Sequence, residues 1–460
     1  MTSTLKKIIK LDGFSPSQKI AISFVVVIVL GAFALMLPIS NVDGKYFSFI
    51  DALFMSTSAT CVTGLAVVPP AIQFTTFGQV VLLLLIQIGG LGLMSMVASI
   101  ALSIRKKLSI QNKLAMREML NQTNMLDFRK FLFGIIRFTF VFEIIGTIIL
   151  SFAFVPEYGL KGIYISIFTS ISAFCNAGFD IIGSNSLVEY VNNPIVNFTV
   201  MILIIAGGLG FIVYFDLRDK FKDFFRGKLS FIRLKQRLML QTKIVIVISA
   251  ILIFIPALLI FIIEFNNPAT LGNLGVDGKI YASLFSSVTL RTAGFATLDF
   301  AGFYPVSQFI MIICMFIGGS PGGTAGGIKT TTLAIILINV ICNIRGQEKT
   351  SIFHRHISRD LIVRSTTILV INLGVLFLGI FGLLIVCDFD FITIIFEAVS
   401  ALATVGLTLG ITTLLPTIAK IIVVVLMYVG RIGILTFLVS IIRQETKKSV
   451  DYAEGNIMIG

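Results

Sequence analysis

Residues 54–64 read Phe54-Met55-Ser56-Thr57-Ser58-Ala59-Thr60-Cys61-Val62-Thr63-Gly64, and the same arrangement returns three more times along the chain. Each copy is a semi-apolar stretch that ends on a glycine segment. The later segments are Cys175-Asn176-Ala177-Gly178, Arg291-Thr292-Ala293-Gly294 and Ala403-Thr404-Val405-Gly406. Their glycines lie 114, 116 and 112 residues apart. A phenylalanine precedes them by 10, 10, 9 and 10 residues, at Phe54, Phe168, Phe285 and Phe396. A second glycine cluster opens 25, 29, 24 and 24 residues later, at Gly89, Gly207, Gly318 and Gly430. Agreement at three registers in four copies marks an internal repeat, and a repeat governs any fold assignment.

Composition fixes the solvent of these repeats. The chain has 460 residues, 56% apolar and 13% charged, with a mean hydropathy of +1.00. A soluble domain carries roughly 25% charged residues. Apolar runs at 20–37, 79–104, 131–155, 195–215, 244–264, 306–319, 362–387 and 417–442 mostly reach the ~18 residues that a bilayer requires. The expected class is an all-α polytopic membrane protein. The first run exceeds the ~7–15 residues of a signal-peptide core, so it reads as a retained span.

The net charge of +13 raises nucleic acid as a partner, and its distribution argues against one. Of 36 Lys and Arg, 28 fall in 1–19, 105–130, 216–243, 342–366 and 443–460, all at alternate ends of the apolar runs. The connections at 39–50, 156–162, 265–280 and 388–390 carry only Lys45, Lys161 and Lys279. Basic loops stay on the cytoplasmic side. Both termini are therefore expected to be cytoplasmic, with the basic loops near anionic lipid or a cytosolic partner. The five cysteines show neither metal spacing nor a disulfide framework.

Between the paired spans lie stretches 50–60, 163–174, 281–290 and 391–402. At ~1.5 Å per helical residue these are too short to cross, and suit helices that enter halfway from outside. Non-helical backbone at that depth survives only when buried in protein or lining a wet cavity. Four such loops on one axis would present peptide carbonyls to a dehydrating cation. Glycine permits the positive φ that turns a carbonyl inward, and a helix C-terminus aimed at the centre favours positive charge. None of the four segments has Asp or Glu before its glycine, which suits a monovalent cation. The candidate ion-binding residues are Val62, Thr63, Gly64, Asn176, Ala177, Gly178, Thr292, Ala293, Gly294, Thr404, Val405 and Gly406, with K+ at their carbonyls.

These segments resemble the Trk/Ktr/HKT superfamily of potassium transporters, and within it the bacterial Ktr-type membrane subunit. The matching residues are Thr63-Gly64-Leu65, Asn176-Ala177-Gly178-Phe179, Arg291-Thr292-Ala293-Gly294-Phe295 and Thr404-Val405-Gly406-Leu407. Ile88-Gly89-Gly90-Leu91-Gly92, the run from Gly318 to Lys329, and Val429-Gly430-Arg431-Ile432-Gly433 also match. The resemblance implies four joined M1–pore loop–M2 units, about eight transmembrane helices plus four re-entrant half-helices, around one pseudo-fourfold pore. The expected divisions are a segment 1–19, repeats at 20–130, 131–243, 244–361 and 362–442, and a tail 443–460. The resemblance further implies potassium uptake at the bacterial plasma membrane. A homodimer is implied on a cytosolic ring of nucleotide-binding, RCK-type subunits, which would bind adenine nucleotides and in some systems cyclic di-AMP. No covalent cofactor is expected; Na+ is a candidate coupling or activating ion. Some plant relatives that prefer sodium have serine where this chain has Gly64, so potassium permeability is expected here.

The third repeat carries Gly318-Gly319-Ser320-Pro321-Gly322-Gly323-Thr324-Ala325-Gly326-Gly327 in mid-span. Six glycines and a proline in ten residues make a poor helix. The expectation is an intramembrane loop beneath the filter acting as a gate, a role the resemblance supports. Arg431 stands at the matching depth of repeat four, in an otherwise apolar run. An intramembrane Arg faces a bundle interior or a cavity, and Arg431 is expected to contact the glycine loop. Gly318 to Gly322 also fits a hydrolase pattern, G-x-S-x-G. The only histidines, His354 and His356, lie in a basic loop far from it, so no enzyme is expected. Gly322 to Thr330 fails as a phosphate loop, because Ile328 separates Gly327 from Lys329. The rival to a pore is an alternating-access, cation-coupled secondary transporter, which also uses repeats and broken helices.

Overall fold

The computed structural model describes residues 16–92, 128–183, 185–227, 230–434 and 437–438. The terminal segment 1–15, most of the first basic loop, and the tail at 443–460 lie outside the described residues. The described residues are mainly helical; a two-stranded hairpin, Ser351–Ile352 with Arg355–His356, is the one sheet among them.

Among the described residues, four helices are unbroken, apolar and long enough to cross a bilayer. They are α1 (Pro16–Met36), α4 (Phe128–Tyr158), α8 (Leu240–Glu264) and α12 (Arg359–Val386). Their 21, 31, 25 and 28 residues exceed the ~20 residues needed at ~1.5 Å each. Each leads into a short helix: α2 (Phe49–Thr60), α5 (Lys161–Phe174), α9 (Val276–Thr289) and α13 (Phe391–Leu402). These have 12, 14, 14 and 12 residues, so at ~18–21 Å they are long enough for only about 60–70% of a ~30 Å hydrocarbon layer.

The second apolar run of each repeat behaves differently from expectation. Sequence alone placed a break only in repeat three, yet in all four runs a helix ends inside the run. The helix α3 (Thr76–Leu91) stops at Gly92, whose φ is 77°. The pair α6 (Pro194–Gly208) and α7 (Phe211–Phe225) bends by 99° at Gly210, φ 91°. The helix α10 (Pro305–Phe316) gives way to the glycine-rich loop before α11 (Thr330–Ile344). The last helix, α14 (Thr417–Ile432), stops at Gly433, φ 88°. Gly92, Gly210 and Gly433 each follow the second glycine cluster by three residues. Their positive φ is the reason: an L side chain there would meet the following carbonyl.

The second cluster has its own packing duty. A Cβ on Gly89, Gly207 or Gly430 would collide with the carbonyl of Thr60, Phe174 or Leu402 respectively. Those are the last residues of α2, α5 and α13. Glycine thus lets each second helix back directly onto the end of its own short helix. In repeat three Gly318 meets the Gly326 carbonyl instead, because the loop intervenes.

Between repeats the packing is cyclic. The second helix of one repeat lies on the short helix of the next: α3 on α5, α6 on α9, α10 on α13, and α14 back on α2. The chain therefore closes on itself, and its centre is surrounded by the C-termini of four short helices.

Candidate functional site

Three of the four short helices end in the same hydrogen-bonded turn. In the first, Thr63 N donates to Ser58 O at 2.8 Å and Val62 N to Ala59 O at 3.1 Å. Ala177 to Ser172 and Val405 to Ser400 repeat the long bond at 2.8 Å. This is the Schellman closure, which needs one residue in the left-handed region. That residue is Val62 (φ 56°), Asn176 (59°) and Thr404 (53°), with Thr292 (63°) in the third copy. The third turn is one residue tighter, with Ala293 N on Thr289 O at 3.0 Å, matching the 9-residue phenylalanine spacing in its sequence. Valine and threonine are poor left-handed residues, and each such position costs roughly 1–3 kcal/mol. The surrounding packing holds them there.

Two residues further on, Gly64, Gly178, Gly294 and Gly406 have φ of 99°, 70°, 80° and 92°, and they meet. A Cβ built on Gly64 would stand 2.6 Å from Ala177 O, on Gly178 2.7 Å from Ala293 O, and on Gly294 2.8 Å from Val405 O. On Gly406 it would overlap Thr63 O. Each glycine thus faces the carbonyl of the next loop in chain order, and the fourth faces the first. Thr63, Gly64, Ala177, Gly178, Ala293, Gly294, Val405 and Gly406 are brought together as one ring of peptide oxygens. Val62, Asn176, Thr292 and Thr404 form the turns beneath it.

Hydroxyls hold the ring in place. Ser58 Oγ and Ser400 Oγ accept from Gly64 N and Gly406 N at 3.1 Å. Ser56, Ser170 and Ser287 instead tie their short helices to α1, α4 and α8, donating to the carbonyls of Ile28, Glu143 and Ile253 at 2.6–2.7 Å. Thr63, Thr292 and Thr404 have buried hydroxyls without hydrogen-bond partners among the described residues. Buried hydroxyls ordinarily find a partner, so these three stand out among the turn residues.

The glycine-rich loop is packed against the ring's helix-end side. Gly318 N donates to Ile328 O at 3.0 Å and Gly319 N to Gly326 O at 3.2 Å, closing it on itself. Ser320 N and Thr324 N reach Gly208 O and Gly207 O at 3.0 and 3.1 Å, and Phe211 N reaches Gly322 O at 3.0 Å. The bend between α6 and α7 therefore supplies the seat, and its freed backbone groups are satisfied by the loop. Gly326 abuts Ala403 O and Thr404 Oγ1 of the fourth turn. Gly323 packs on the carbonyls of Gly207 and Gly208, and Gly327 against Gly318. Lys329 Nζ donates back to Ala325 O at 2.7 Å.

Arg431 reaches the loop as expected from sequence. Its guanidinium donates to the carbonyls of Thr324 and Gly89, joining repeats four, three and one. Sequence reading gave no role to Lys329, Glu143 or Gln87. Gln87 Nε2 donates to Glu143 Oε2 at 3.3 Å between α3 and α4. Gln87 and Glu143 are isolated polar or ionisable groups in apolar runs, which was the available signal. The break at Gly210 was also missed, although Gly207-Gly208-Leu209-Gly210 repeats Gly89-Gly90-Leu91-Gly92.

A helical, multi-span membrane protein whose four internal repeats bring glycine turns to one centre is the class defined by this fold and site. The chain belongs to the TrkH family of cation transport proteins, whose family model matches residues 4–452. It is 42% identical over 467 residues to the Ktr system potassium uptake protein B of Bacillus subtilis, covering 100% of both chains. It is 36% identical over 469 residues to the potassium/sodium uptake protein NtpJ of Enterococcus hirae, again over 100% of both. Among solved structures, the potassium transporter TrkH from Vibrio parahaemolyticus superposes with a TM-score of 0.72. That match covers 94% of this chain and 86% of the other at 17% identity, and establishes the shared fold.

Proposed function

We propose that the chain carries potassium into the cell through the ring of carbonyls set by Gly64, Gly178, Gly294 and Gly406. The observation that carries this reading is the cyclic contact of each glycine with the next loop's carbonyl. Peptide oxygens on one axis replace a cation's water, and the absence of a carboxylate in the four segments favours a monovalent ion. Two of the relatives are named for potassium uptake.

In this reading Gly318 to Gly327 form the gate, and Arg431 holds it shut while setting a positive barrier below the filter. Control comes from a cytosolic nucleotide-binding, RCK-type ring beneath a homodimer in the plasma membrane, with both termini cytoplasmic. Na+ acts as a coupling or activating ion. Four repeats with every basic loop on one side favour a channel-like axis over alternating access.

The test is growth rescue of a potassium-uptake-deficient bacterium at low potassium. Each of Gly64→Ser, Gly178→Ser, Gly294→Ser and Gly406→Ser should lower the rescue. Full rescue by all four would sink the shared filter.

A further inference from the structure

The side chain of Asn176 is held from two sides. Its Oδ1 accepts from Thr324 Oγ1 at 2.8 Å, and its Nδ2 donates to the Arg291 carbonyl at 3.3 Å. A carbonyl only accepts, so the amide nitrogen is fixed on the Arg291 side. Thr324 belongs to the glycine-rich loop, whereas Arg291 stands three residues before Gly294 in the third ring segment. Asn176 is 1% exposed. Room for the junction comes from Gly207, where a Cβ would stand 2.8 Å from both Asn176 Oδ1 and Thr324 Oγ1. The matching left-handed positions in the other copies are Val62, Thr292 and Thr404, none of which has a carboxamide.

We infer that Asn176 is a positioning residue that transmits the place of the glycine-rich loop to the filter. This rests on the reading of the ring as filter and the loop as gate. With the loop seated, Thr324 orients the carboxamide, and the carboxamide holds the backbone of the third segment. When Thr324 withdraws, Oδ1 becomes a buried acceptor without a partner, a state costly enough to turn the amide. The Arg291 carbonyl is then released, and the neighbouring Ala293 and Gly294 loosen. Ion preference therefore depends on whether the loop is seated.

The test uses the full chain in proteoliposomes, with isotopic K+ and Na+ fluxes measured in parallel. Thr324→Val removes the hydroxyl, with its bond to Asn176 Oδ1 at 2.8 Å and its longer contact to Phe174 O at 3.3 Å, and keeps the shape; loss of the Asn176 bond, at the strength of an ordinary buried hydrogen bond, should lower the K+ over Na+ flux ratio roughly fivefold. Thr324→Ser should restore it. Asn176→Asp keeps the left-handed preference but sets an acceptor against Arg291 O, and should give a similar fall. The double variant should match the single ones, since partners in one contact are not additive. An unchanged ratio in Thr324→Val, or additive losses in the double variant, overturns the coupling. A wild-type chain that carries no K+ would instead overturn the filter reading itself. If Asn176→Asp does not assemble, Thr324→Val decides alone.

Discussion

Lys420 on α14 pairs with Asp51 on α2 at 2.6 Å, although 369 residues separate them. The contact joins the fourth repeat to the first, where no peptide bond does so. Both side chains are under a quarter exposed, so removing one partner strands a partly desolvated charge. Asp51→Asn should lower stability by about 1–2 kcal/mol, discounted for partial solvent screening. A melting curve in detergent measures it, and the exchanged pair Asp51→Lys with Lys420→Asp should recover much of the loss. An unshifted curve in Asp51→Asn would show that helix packing alone closes the circle.

The glycines differ in what a methyl would meet. Gly430→Ala drives a Cβ into the Leu402 carbonyl, and overpacking of this kind costs roughly 1–3 kcal/mol. Gly374, in the middle of α12, has open space around it, and Ala there gains up to about 1 kcal/mol of helix propensity. Folded yield and potassium uptake should fall for Gly430→Ala and hold for Gly374→Ala. Equal behaviour of the two would contradict the packing argument.

Val62 occupies a left-handed turn at φ 56° where its branched Cβ is unwelcome. Asn176 occupies the same place in the second copy, and asparagine tolerates it. Val62→Asn should therefore leave the fold intact or raise its stability by up to about 1 kcal/mol, read by thermal melting. A marked loss would mean that the valine side chain contributes more through burial than it costs through strain.

Arg431 holds the carbonyls of Thr324 and Gly89. Charged hydrogen bonds are worth about 1.5–3 kcal/mol each, so Arg431→Gln should favour the unseated loop by roughly tenfold or more. Resting K+ flux in vesicles should rise accordingly, and deletion within 320–326 should raise it too. A flux no higher than wild type in both would remove the loop from the gating role.

Much of this was legible because the repeat is periodic at residue level. Phe54, Gly64 and Gly89, with their three sets of counterparts, announced four short helices and four glycine turns before any coordinates; that Gly89, Gly207 and Gly430 are close helix approaches came only with the structure. The third break was legible from its glycine and proline content. The other three were not, since a single Gly92, Gly210 or Gly433 inside an apolar run costs a helix only about 1 kcal/mol. Their φ values depend on tertiary packing, which no local pattern reports. The order of the ring was equally hidden: spacing places four turns in the chain but does not say which carbonyl each glycine meets. Side-chain bridges such as Asn176 to Thr324 span 148 residues and leave no periodic trace.

The handedness of the ring has a genetic corollary. Since Gly64 abuts the oxygen of Ala177 rather than that of its own segment, a bulky replacement injures the following quadrant. Compensating changes for a damaged first quadrant are then to be sought around residues 175–179. For a lesion at Gly406 the search wraps round to residues 61–65, near the opposite end of the gene.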